Sequence, residues 1–225
     1  MTPLPRFDLY APIHKALRLF MTDTLRRLGR LDLDDARDLA AGLDQLDALL
    51  GAARSHLQHE NDFIHPVLEA HRAGASERIA AEHREHLDTL ATLQAQADAL
   101  RAAPGAAAAH RLYRQLAAFA AENFEHMDVE ETRHNQALWA ACGDAELQAI
   151  EGRILASIGP QEMDLWLRWL IPALNPTERA QLLGGMPPEA QAPVLASART
   201  LLDDTDWAKL CRALGRAPVP GLVTA

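Results

Sequence analysis

The chain has 225 residues, enough for one sizeable domain or one domain plus an appendage, and its 48% hydrophobic and 24% charged residues match an ordinary globular protein. A formal net charge of −9 leaves no electrostatic footprint for a nucleic-acid partner. The two cysteines, Cys142 and Cys211, lie far apart, which excludes a disulfide framework and a thiolate metal site; both thiols read as buried and inert, and a reducing cytoplasm is the simplest home. The N-terminus lacks a basic segment followed by an apolar core, so no signal peptide is expected, and no apolar run is long enough to span a membrane.

Residues 1–6 carry two prolines and read as a loose leader. From about Asp8 to Gly29, Leu9, Ile13, Leu17, Phe20 and Leu28 recur at helical spacing, with Pro12 in the first turn. A second helix is expected from about Asp34 to Ala70, its last turns kinked or shortened by Pro66. Gly74 breaks it, and Ser76 is placed to cap a third helix over 76–102. Pro104-Gly105 is a turn, and a fourth helix is expected over 106–141. Residues 8–142 therefore read as an all-α, up-down-up-down four-helix bundle, because short loops force antiparallel neighbours. Residues 145–215 read as a C-terminal helical appendage of shorter segments. It is expected to pack against the bundle, a second copy or a protein partner, and residues 216–225 read as a frayed tail.

Two short stretches repeat one chemistry. His56-Leu-Gln-His-Glu60 and His126-Met-Asp-Val-Glu130 each place a histidine four residues before a glutamate, so both side chains share a helix face one turn apart. Each is half a metal site. Measured along the helices at about 1.5 Å per residue, His14 falls level with His56, and His86 with His126. The candidates His14, His56, Glu60, His83, His86, His126 and Glu130 then lie in one layer near one end of the bundle. Imidazole with carboxylate suits iron, manganese or zinc. Glu60 and Glu130 are placed to bridge two ions. His14 and His56 complete one, and His126 completes the other with His83, His86 or both. So sparse a protein ligation leaves a coordination position open for a small ligand.

Singly, each histidine is more often a surface or satisfied core group than a ligand; their arrival in one layer carries the metal reading. His59 and Glu131, each beside an expected ligand, read as supporting or surface groups. His65 falls nearly opposite His56 around the helix and reads as surface, as do His71 and His110. Glu122 and His134 continue the Glu130 stripe and read as solvated. Tyr10, one turn before His14, is placed either to close the open end of the site or merely to cap the bundle.

These pieces resemble the hemerythrin-like, or HHE cation-binding, family. They are Ile13-His14-Lys15-Ala16-Leu17-Arg18, His56-x-x-x-Glu60 running on to Pro66-x-Leu68, Glu82-His83-x-x-His86, and His126-x-x-x-Glu130-Glu131. The resemblance covers about residues 8–142. It implies a four-helix bundle around a non-haem di-iron centre bridged by Glu60, Glu130 and a solvent-derived oxygen. Family members carry, store or sense O2, or respond to nitric oxide, peroxide or iron. Here the helix-three histidines are three apart rather than four. The helix-four carboxylate is a glutamate four past its histidine, not an aspartate five past. Both departures point toward the divergent bacterial and iron-sensing branch rather than oxygen carriage. The expected function is a cytoplasmic protein that binds or senses O2, a related ligand or iron status. The alternatives are a di-iron oxidoreductase and a metal-free helical interaction module.

Overall fold

The computed structural model describes residues 6–216, all helix and connecting turn without a strand among them. The expected loose leader and tail otherwise lie outside the described residues. Arg6 is not loose: its guanidinium pairs with Asp144 at 2.6 Å and donates to the Trp139 and Cys142 carbonyls.

The bundle consists of α1 (Ala11–Leu28), α2 (Ala36–His59) continuing into α3 (His65–His71), α4 (Glu77–Ala102), and α5 (Ala106–Val129) continuing into α6 (Asn135–Ala141). α1 packs on α2, α2 on α4, α4 on α5, and α5 back on α1. Every pair is antiparallel, as the contacts show. His14 meets His56 while Gln45 reaches Thr24, and Asn61 meets His83 while Asp47 meets Gln94. His86 faces Phe119 while Glu82 reaches His126, and Glu131 meets His14 while Gly29 touches Tyr113.

Capping follows local chemistry. The Asp35 carboxylate accepts from the Arg37 and Asp38 amides and starts α2. Ser76 precedes α4 but does not cap it, because its hydroxyl donates to Glu69 instead. Away from the histidines the interior is leucine, with Leu43, Leu46, Leu90, Leu93, Leu100 and Leu116 fully buried. At that end Gly42 permits close approach; a Cβ there would collide with the Leu31 side chain.

Two departures from the expected continuous helices matter for the site. Between α2 and α3, and again between α5 and α6, the chain makes one π-turn, over Glu60–Ile64 and Glu130–His134. The His65 amide donates to the Glu60 carbonyl and the Asn135 amide to the Glu130 carbonyl, five residues back in each case. Pro66 follows the first turn without ending the helix; the second turn has no proline, so proline is not the common cause.

The described chain divides into two compact units, after Ile158. The bundle unit therefore includes α7 (Asp144–Ser157), whose Leu147 and Ile150 pack in one cluster with Tyr10, Ile64, Leu68 and Leu138. The second unit holds α8 (Pro160–Ala173), α9 (Pro176–Gly184), α10 (Pro188–Leu201) and α11 (Asp204–Ala213). Asn175 starts α9 with a reciprocal cap to Glu178. Ile171, Leu183, Leu195, Trp207 and Leu210 share its core. The buried Arg179 donates to the Ile171 and Pro172 carbonyls at the end of α8 and pairs with Asp206. No helix among the described residues is long and apolar enough to cross a membrane.

Candidate metal centre

His14 from α1, His56 from α2, His83 from α4 and His126 from α5 point into one layer, where Glu60 and Glu130 begin the two π-turns. All six side chains are buried. They form two clusters. In the first, His14 Nε2 lies 3.6 Å from Glu60 Oε1 and 3.5 Å from Glu130 Oε2, and His56 Nε2 lies 3.2 Å from Glu60 Oε1. In the second, His83 Nε2 lies 3.4 Å from Glu60 Oε2, 3.7 Å from Glu130 Oε1 and 3.1 Å from His126 Nε2. His126 Nε2 lies 3.4 Å from Glu130 Oε1.

Each carboxylate thus sends one oxygen to each cluster. Donor atoms sharing a first-row ion through bonds of about 2.1 Å stand roughly 3.0–3.4 Å apart, close to these separations. His14 Nε2, His56 Nε2 and all four oxygens of Glu60 and Glu130 are shielded from solvent and have no hydrogen-bond partner among the described residues. Buried polar atoms without partners are rare, and six converging on one layer fit two ions.

Three of the Nδ1 atoms are held by neighbours. His14 Nδ1 faces Glu131 at 3.0 Å, His83 Nδ1 faces Asn61 at 2.9 Å, and His126 Nδ1 faces Glu82 at 2.8 Å. A neutral imidazole that donates through Nδ1 presents its Nε2 lone pair inward, the tautomer a ligand needs. Arg18 pairs with Glu131 at 2.5 Å and Arg78 with Glu82 at 2.7 Å, fixing two of these acceptors. Asn61, Glu82 and Glu131 each sit beside a cluster residue in sequence, which was the one signal available for finding them.

Electrostatics follow from two buried carboxylates. Burial raises both, but His56, His14 and His83 outweigh it and hold Glu60 well below the usual range. Burial and Glu60 raise Glu130, yet the close His126 and His83 rings bring it to about 2. Burial opposes charge on His14 and His83, but the neighbouring carboxylates, Glu131 and Glu60 for His14 and Glu130 and Glu60 for His83, raise both to about 9. Burial lowers His56 to about 4.

His86 joins neither cluster. Its ring packs 4.8 Å from that of His126 and 5.7 Å from Phe119, and its Nδ1 has no hydrogen-bond partner among the described residues. Three expectations are corrected. His65 and His134 are not on the surface but are buried in the bundle. On an unbroken α-helix, His65 would stand about 180° from His56. The extra residue in a π-turn takes back about 100°, which swings the following side chains inward. One donor atom each from His65, His134 and Glu130 consequently lies within 4.8 Å of the others. Cys142 is half-buried rather than buried, while Cys211 is buried; burial raises both thiols. Glu122, His71 and His110 are exposed, and His59 is half-buried against Phe63. Tyr10 is fully buried, its ring 5.3 Å from that of His14 and its hydroxyl 3.4 Å from His134 Nδ1.

No curated protein and no solved structure gives a significant match to the chain. The family model of the hemerythrin HHE cation-binding domain matches residues 7–136, more than half of the chain and all six residues of the two clusters. A ring of four antiparallel helices with imidazole–carboxylate clusters at one end, matched along its length by that model, places this protein in the hemerythrin HHE cation-binding domain family.

Proposed function

We propose that this chain is a non-haem di-iron protein that binds or senses O2 or a related small ligand such as nitric oxide or peroxide. The observation that carries the reading is the division of Glu60 and Glu130, each with one oxygen in each of two two-histidine clusters. His14 and His56 would hold one ion, His83 and His126 the other, with both glutamates shared. That gives four protein donors per ion, and iron accepts up to six, so positions remain for solvent and a small ligand. A bound iron pair supplies redox-active positions to which such a ligand can attach.

The chain's own residues do the rest. Glu131, Asn61 and Glu82 fix ring orientation, and the leucine interior and Tyr10 keep bulk water from the layer. A metal-free interaction module would leave six buried atoms without hydrogen bonds, at about 1–3 kcal/mol each. A second reading, an oxidoreductase consuming O2, peroxide or nitric oxide, is favoured by the buried imidazoles of His65 and His134 beside Glu130.

The test is elemental analysis with an absorption spectrum on protein purified without chelator or affinity-column metal. About two irons per chain, with near-ultraviolet bands that change on reduction and re-aeration, are expected. Absence of iron after anaerobic reconstitution with ferrous ion would overturn the proposal. Catalytic consumption of oxidant, rather than a stable reversible adduct, would select the oxidoreductase.

A further inference from the structure

His65 and His134 belong to neither two-histidine cluster, yet each is carried inward by its own π-turn and brought to the same carboxylate. The His65 ring stacks 5.0 Å from that of His83 and stands edge-on, 5.9 Å, to that of His134. His65 Nε2 is sealed from solvent and has no hydrogen-bond partner among the described residues. His134 is oriented through its other side, Nδ1 facing the Tyr10 hydroxyl. The adjoining buried residues Ile64, Leu68 and Leu138 are apolar, so this end of the bundle can be packed without imidazoles. Two buried, inward-directed histidines in an apolar end, one with an orphaned nitrogen, indicate a ligand.

Resting on the di-iron reading, we propose that His65 and His134 form a hydrogen-bonding wall that makes the centre selective for small anions with terminal acceptor atoms, of the azide and hydroperoxide class, over neutral diatomics. An imidazole carries at least one N–H whether or not it is protonated, so each ring has a donor to give. An N–H donor stabilises an anion strongly and an unpolarised diatomic hardly at all. Glu60 and Glu130 work against an anion, so donors on the protein side decide whether one is held. The same residues are also a chelating set, but a third cation is disfavoured. Glu130 Oε1 already lies 3.4 Å from His126 Nε2 and Oε2 3.5 Å from His14 Nε2, leaving a third ion only two imidazoles beside two other cations.

The test uses the full chain, loaded with ferrous iron and then oxidised, with azide as the probe. Azide affinity is read by optical titration and its antisymmetric stretch by infrared spectroscopy, with iron per chain measured on every sample. His65→Leu and His134→Leu are each expected to weaken azide roughly tenfold at unchanged iron content, while nitric oxide binding to the reduced protein stays within about twofold. Azide affinity within about twofold of wild type in variants that keep both irons overturns the proposal. So does a third metal equivalent in the wild type that disappears with His65. If the leucine variants fail to hold iron, His65→Gln and His134→Gln decide. The azide stretch shifts if the imidazoles donate to the anion, and wild-type frequency in both overturns the proposal. A wild type that takes up no iron removes the di-iron reading itself, and this inference with it.

Discussion

Glu60 and Glu130 place two negative charges in a sealed layer, and something positive must answer them. Without metal, protons on His14 and His83 do so, which is why both are raised to about 9. Both folded values exceed the ordinary 6.5, so their stabilisation is fully present below pH 6.5 and is lost as pH rises through 9. Melting temperatures of chelator-treated protein should therefore fall between pH 7 and 9, while the metal-loaded protein, whose cations replace those protons, should hold its value. On the acid side the sign is opposite. His56, His65 and His86 are lowered to about 4, so their contribution is lost as pH falls from 6.5 toward 4. The helix-three histidines give a second prediction. His83→Ala should reduce bound metal from about two ions to about one, and His86→Ala should leave about two, read by elemental analysis. Equal loss in both would show that His86 ligates despite standing outside the clusters. In sequence these two were indistinguishable, because residues three apart on a helix can both face inward.

At the scale of elements, the two π-turns decide which histidines enter the bundle. Deleting the exposed Asp62 should restore α-helical register and rotate every later residue of that helix by about 100°. Leu68 would leave the core, costing about 1.5–3 kcal/mol, while His56 and Glu60 keep their places. A lowered melting temperature at near-normal metal content is expected; an unchanged melting temperature would show that the turn is dispensable. Helix extents and the layer in which the candidate donors meet were legible in the sequence, because antiparallel helices of known rise act as rulers and His14, His56, Glu60, His126 and Glu130 keep their spacing. His65 and His134 were not. No residue type marks a π-turn, Pro66 accompanies only one of the two, and a constant 3.6-residue period sends His65 to the surface. Asn61, Glu82 and Glu131 stand next to cluster residues, but adjacency alone does not say across which helix pair a side chain reaches.

At the scale of the molecule, the two compact units have separate cores, and only the first contains the clusters. Calorimetry should therefore resolve two transitions, of which metal loading raises one and leaves the other in place. Arg179→Met should lower only the other, by roughly 2–4 kcal/mol, because it strips the end of α8 and leaves Asp206 without its buried partner. A single transition moved by both treatments would show that the units unfold together. Within the bundle, the donors gather at the first turn of α1, the second turn of α4, the last turns of α2 and α5, and the π-turns that follow them. The opposite end is held by leucines and the tight approach at Gly42, and among the described residues no ionisable residue is buried there as a whole. In the proposed metal-loaded protein, loss of the ions would loosen one end while the other stays packed. Such a protein would be emptied and refilled without passing through the unfolded chain, so its occupancy would follow the supply of metal throughout its lifetime instead of being set once at synthesis.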